Sequence, residues 1–163
     1  MKFLLAGVLL IIQSFTVFSM QKKEIYLAGG CYWGLEYLLQ DLPGVVDTEV
    51  GFAGGSLENA TYDDVKTGLT GHAETIYITY DEEVLSLEQL LFEFFRMHNP
   101  TTQNQQGNDI GTQYRSAIFY LNDEDKKIIN EVIRKVNQSG HWPDPVVTDV
   151  LPFKAFYAAQ LDH

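Results

Sequence analysis

Strand-like and helix-like stretches in the order β-α-β-β-α-β, followed by a further helix and strand, predict an α+β domain. Three observations carry that prediction: short alternating apolar runs, helices with marked caps and apolar stripes, and glycine or proline punctuation between them. Glu24 to Ala28 is the first strand, ended by Gly29 and Gly30. A helix opens near Tyr32, places Leu35, Leu38 and Leu39 on one face, and closes at Pro43-Gly44. Val45 to Phe52 is a second strand, after which Gly54-Gly55 starts a loop running to Gly71. His72 to Tyr80 alternates as a third strand.

The next helix is better marked. Ser86 and Gln89 form a capping-box pair, and Leu87, Leu90, Leu91, Phe94 and Phe95 make its buried stripe. Asn99 to Thr112 is polar and too long for an ordinary connector, as functional loops are. Arg115 to Leu121 reads as a strand. Asn122 then caps a helix that carries Asp123, Glu124 and Asp125 in its first turn. Its core face is Ile128, Ile129, Val132, Ile133 and Val136, and Gly140 stands at its C-cap. Val146 to Leu151 is the last strand, leading into a short tail. The whole order is that of a ferredoxin-like split βαβ sheet with helices packed on one face and an added C-terminal helix and strand.

At 163 residues, 45% hydrophobic and 13% aromatic, the chain builds one packed domain. Lys+Arg is 11 against Asp+Glu 22, a net charge of −11, which argues against nucleic-acid or anionic-membrane partners. A single cysteine excludes an internal disulfide and a thiolate metal cage. His72, His98, His141 and His163 are scattered over separate elements, so no metal is expected. The N-terminus has a different character. Lys2 precedes an apolar run from Phe3 to Ile12 that continues through Phe15, Val17 and Phe18 to Ser19. Residues 1–19 are read as a signal peptide cleaved after Ser19, with 20–163 the exported domain, periplasmic or extracellular. A retained N-terminal membrane anchor is the alternative.

Cys31 follows Gly29-Gly30 and opens the first helix, where unpaired N–H groups and the helix dipole favour an anion. Tyr32 and Trp33 beside it form an aromatic wall. The bland alternative is a small buried hydrophobe. Glu74 shares a strand face with Ile76, Ile78 and Tyr80, so burial is expected to keep it protonated, unless it reaches solvent at the strand end. The stretch Gly107 to Ser116 concentrates amide, carboxylate, phenol and guanidinium groups. It either folds on its own hydrogen bonds or lines a polar cleft with Asp109 and Tyr114.

Four ordered blocks carry a resemblance. Gly30-Cys31-Tyr32-Trp33-Gly34, Gly51-Phe52-Ala53-Gly54-Gly55 with Thr61-Tyr62, Gly71-His72-Ala73-Glu74, and Gly107-Asn108-Asp109 through Tyr114-Arg115-Ser116 resemble the A-class peptide methionine sulfoxide reductases. That family commonly has Phe where Tyr32 stands. The resemblance implies Cys31 as nucleophile and Glu74 as proton donor, with the Tyr62 and Tyr114 phenols assisting. It implies Asp109 as an orienting group, and Tyr32 and Trp33 as the seat of the substrate methyl. It further implies reduction of the S epimer, free or in proteins, through a sulfenic acid on Cys31. No cofactor is bound; the electrons come from an external thiol, a thioredoxin-like protein or a small thiol. The partners are thus oxidised proteins or free methionine sulfoxide and that thiol donor, with the enzyme a monomer.

Two departures bear on mechanism. Many relatives carry further cysteines that resolve the sulfenic acid, and this chain has none; its tail only loosely resembles theirs and stops early. A one-cysteine enzyme is therefore expected. Two other classes remain open on the residues alone: a cysteine hydrolase with a histidine base, and a binding module in which Cys31 is inert.

Overall fold

The computed structural model describes residues 20–160, and the expected signal segment lies outside them. In chain order the elements are β1 (Lys22–Gly29), α1 (Tyr32–Leu39), β2 (Val45–Ala53), α2 (Tyr62–Val65), β3 (Ala73–Asp81) and α3 (Leu87–Met97). There follow the short pair β4 (Gln105–Gln106) and β5 (Asp109–Ile110), a 3-10 turn (Thr112–Tyr114), β6 (Ser116–Tyr120), α4 (Asp123–Ser139), β7 (Asp149–Pro152) and β8 (Phe156–Ala158). The main sheet runs β7-β6-β1-β3-β2-β8. Its four central strands are antiparallel neighbours, with β3 set between β1 and β2 and β1 set between β3 and β6. That interleaving is the split βαβ arrangement expected from the order of elements. β7 joins parallel to β6, and β8 joins antiparallel to β2.

Local chemistry explains why the helices start and stop where they do. The Ser86 hydroxyl accepts from the Gln89 N–H at 3.2 Å while Gln89 Oε1 accepts from the Ser86 N–H at 3.0 Å, closing the capping box of α3. Asn122 Oδ1 accepts from the Asp125 N–H at 2.9 Å, and Gly140 takes the left-handed conformation (φ 68°) that ends α4. α1, α3 and α4 cover one face of the sheet. Ile25, Leu27, Ile76, Ile78, Tyr80 and Ile118 from the strands pack there against Leu35, Leu90, Phe94, Ile129 and Val132. Among the described residues, no helix covers the opposite face. The return of the chain after β7 covers it, with Phe153 stacked on Tyr26 at 4.0 Å between centroids and Phe156 beside it.

Three stretches differ from expectation. The loop before Gly71 contains α2, a single turn too short to show a helical period. The long polar loop folds into the β4–β5 hairpin and the 3-10 turn. The tail returns as β8 on the far edge. The last long strand also begins at Asp149 rather than Val146, because the Val147 N–H bonds the Pro100 carbonyl at 2.8 Å instead of joining the ladder.

Candidate active site

Cys31 occupies the N-cap of α1, directly after β1, and its carbonyl accepts the first bonds of the helix from Gly34 and Leu35. The two preceding glycines make room for what packs behind it. Gly30 has φ 100°, and a Cβ there would lie 2.6 Å from Gln106 Cγ. At Gly29 it would lie 2.9 Å from the His98 ring. Any larger residue would push the elbow, and the sulfur with it, out of place. The thiol itself is partly exposed.

Glu74 stands one residue into β3, on the face that carries Ile76, Ile78 and Tyr80 further along the strand, and is only 3% exposed. Its Oε2 accepts a hydrogen bond from the Tyr32 N–H at 3.1 Å, so the first turn of α1 touches the carboxyl directly. Burial pushes its pKa up to about 7; the Tyr32 bond pulls the other way, and the Asp109 charge adds to the rise. Glu74 therefore holds its proton up to neutrality and gives it up through about pH 7. Burial, with Glu74 next in weight, raises the Tyr32 phenol, and the same two influences raise Tyr114, so both remain hydrogen-bond donors.

One cavity of about 340 Å³ is lined by Cys31, Tyr32, Trp33, Tyr62, Glu74, Asp109 and Tyr114. All seven residues singled out from the sequence thus lie around one space, brought there from α1, α2, β3, β5 and the 3-10 turn. Tyr62 is presented by a capping box of its own, in which Thr61 Oγ1 and the Asp64 carboxylate bond each other's backbone N–H groups. Trp33 is half-exposed and lies over Tyr32, which in turn packs on Phe52 at 5.8 Å. A larger open hollow of about 470 Å³ beside Lys22, Tyr77 and Asp125 carries no thiol.

Among the described residues, no histidine lines the cavity. The buried His72 accepts from the Gly55 N–H at Nδ1 (3.0 Å) and donates from Nε2 to the Leu57 carbonyl (2.8 Å). His98 donates from Nδ1 to the Phe94 carbonyl, and Nε2 faces the Ser116 hydroxyl at 2.7 Å, itself in contact with Thr148. These tautomers follow from the partners. Among the described residues, no cluster of histidine, cysteine and carboxylate ligands is placed to hold a metal ion.

A thiol, a buried carboxyl and an aromatic wall thus share one cleft. A model of the family described as peptide methionine sulfoxide reductase matches residues 23–163. The chain belongs to that family. It is an enzyme, an oxidoreductase of the methionine sulfoxide reductase class. It is 48% identical over 141 residues to the peptide methionine sulfoxide reductase MsrA of Clostridium botulinum, covering 86% of this chain and 88% of that relative. Its fold is similar to that of Mxr1 from Saccharomyces cerevisiae in reduced form, with TM-score 0.81 and 36% identity over 86% of this chain and 81% of that one. It is also similar to Mxr1 in complex with Trx2, at TM-score 0.62 and 27% identity over 87% and 86% of the two chains.

Sequence reading did not find the Tyr32 N–H to Glu74 bond, the packing of Gln106 on Gly30, or the contacts of Arg115. Apart from the Arg115 bond to Thr112, each joins segments distant in the chain, and no local pattern announces it.

Proposed function

We propose that this reductase removes oxygen from the S epimer of methionine sulfoxide, free or in proteins, using Cys31 as its only sulfur nucleophile. The observation that carries the reading is the shared cleft of one thiol and one buried, protonated carboxyl, walled by Tyr32 and Trp33. The Cys31 sulfur attacks the sulfoxide sulfur while Glu74 donates to the oxygen as it gains negative charge, helped by the Tyr62 and Tyr114 phenols. The substrate S–O bond breaks as its oxygen leaves as water with the Glu74 and thiol protons, leaving a Cys31–sulfonium S–S bond. A water oxygen then bonds Cys31 as that S–S bond breaks, so methionine leaves with its sulfur reduced, Cys31 holds a sulfenic acid and a proton returns to Glu74. Asp109 orients the polar side of the cleft. Tyr32 and Trp33 seat the S-methyl group.

The chain has one cysteine, so reduction of the sulfenic acid falls to an external thiol. Attack by that thiol forms a mixed disulfide with loss of water; a second thiol releases Cys31 and carries the electrons away as a disulfide. The complex of the yeast relative Mxr1 with Trx2 supports a thioredoxin-type donor. The apolar segment at residues 1–19 supports action outside the cytoplasm after cleavage.

The hydrolase alternative needs a histidine base at the sulfur. His72 and His98 both have their ring nitrogens engaged away from the cavity, which disfavours it. The deciding experiment supplies one equivalent of each separated epimer without reductant. The S epimer is to yield one methionine and a single added oxygen on Cys31 by mass spectrometry; no release from either epimer overturns the reading.

A further inference from the structure

Arg115 lies in a signature block but not in the cleft. Its side chain is 12% exposed, and each nitrogen of its guanidinium has a partner on a different segment. Nη1 donates to the Thr112 carbonyl at 2.8 Å, Nη2 to the Gly71 carbonyl at 3.0 Å, and Nε faces Asp149 Oδ2 at 3.3 Å. Thr112 stands between Asp109 and Tyr114. Gly71 stands three residues before Glu74. We propose that Arg115 is a positioning residue for sulfoxide reduction, a clamp that sets the Glu74 strand against the turn bearing Tyr114.

The neighbours of Arg115 on the same turn do related work. The Thr112 hydroxyl donates to the Gly68 carbonyl at 3.0 Å, and the Gln113 amide to the Lys66 carbonyl at 3.4 Å. Together the three side chains fasten the connector from Lys66 to Gly71, which runs from the end of α2, the helix of Tyr62, to the start of β3 and Glu74. Arg115 alone carries the tie further, to Asp149 at the head of β7. The turn at Gly54 packs on it as well, where a Cβ would lie 2.9 Å from Nη2. A planar fork serves two carbonyls and a carboxylate at once; the single ammonium of lysine does not.

The proposal rests on Glu74 acting as the acid. The groups facing Glu74 are Cys31 and Tyr32 from α1, Tyr62 from α2, Asp109 from β5 and Tyr114 from the 3-10 turn. Loosening the clamp admits water between the Glu74 strand and Tyr114, and hydration favours the charged carboxylate. The test is single-turnover release of methionine from free methionine sulfoxide, without reductant, across neutral pH. Arg115→Lys is to slow it by about tenfold, the size of one or two lost charge-assisted hydrogen bonds. Its alkaline fall is to move by roughly half a pH unit toward acid as Glu74 is hydrated. Asp149→Asn, which keeps both carbonyl bonds, is to move the same limb by less and covers the case in which the lysine variant does not fold. A parent-like rate and pH profile in the folded variant, or a loss that only follows the unfolded fraction, overturns the clamp. Glu74→Gln run alongside separates the two readings: if that change leaves the rate intact, the acid assignment fails, whatever Arg115 does.

Discussion

Glu74 and His98 are two buried titratable groups packed against the glycine elbow, and burial treats them alike while their surroundings do not. Both are driven toward the neutral form, Glu74 up to about 7 and His98 down to about 4, with burial the largest cause in each. His98 has a partner at each ring nitrogen and fills the space behind Gly29. Glu74 has the Tyr32 N–H on one oxygen and otherwise lines the cavity. Burial makes a neutral group; only a cavity beside it makes that group a reagent.

The strongest way to break this contrast is to remove the reagent's counterpart. Cys31→Ser is expected to lower methionine release from the S epimer to background; residual turnover would move the nucleophile elsewhere. Next in size, Glu74→Gln is expected to cost about 10²–10⁴-fold in the sulfoxide step, the usual range for a positioned proton donor. The parent rate of that step is to fall as pH rises through about 7, where Glu74 gives up its proton, and the glutamine variant is to lack that fall.

Stability sharpens the comparison because the two groups respond to pH with opposite sign. Glu74 has a folded pKa above its unfolded 4.5, so its contribution is full below 4.5 and is lost as pH rises through about 7. His98 has a folded pKa below its unfolded 6.5, so its contribution is full above 6.5 and is lost as pH falls through about 4. Each amounts to something on the order of 3 kcal/mol, and between pH 4.5 and 6.5 they offset. Melting curves should therefore separate the variants. Glu74→Gln gains on its parent as pH rises from 5 to 8. His98→Leu removes the acid-side loss but takes the ring partner from the Phe94 carbonyl, while the Ser116 hydroxyl keeps Thr148, costing about 1–3 kcal/mol at pH 8. Parallel melting curves for parent and both variants across pH would remove the electrostatic half of the contrast. The smallest expected effect belongs to Tyr114→Phe: about tenfold in the same single-turnover rate, one hydrogen bond to a developing charge, with melting unchanged.

Much of this protein is legible before any coordinates, and the legible parts share a property. The caps at Ser86 and Asn122 and the glycine stop at Gly140 are interactions of residues within four positions of one another. The apolar stripes of α3 and α4 and the alternation of β3 are periodic over whole elements. Cys31 and Glu74 could be singled out because each is an exception to its local pattern: a thiol at a glycine elbow, an acid on an apolar face. Asp109 and Tyr114 were marked only by the polar density of their stretch, which left a self-bonded loop equally open, and only the resemblance of its block pointed to Tyr62. α2 and β8 escaped because four and three residues hold no period.

By itself, then, the sequence determined the order of elements, the interleaved sheet that this order implies, and the two residues whose chemistry is out of keeping with their neighbours. The tertiary structure decided which distant segments meet: that the Tyr32 N–H reaches Glu74, that Gln106 and His98 pack behind the glycine elbow, and that Arg115 ties Gly71 to Thr112. The reason is physical. A cap or an apolar stripe is set by dihedrals and spacing along a few residues, whereas a pKa or a clamp depends on what packs against a group from elsewhere in the chain.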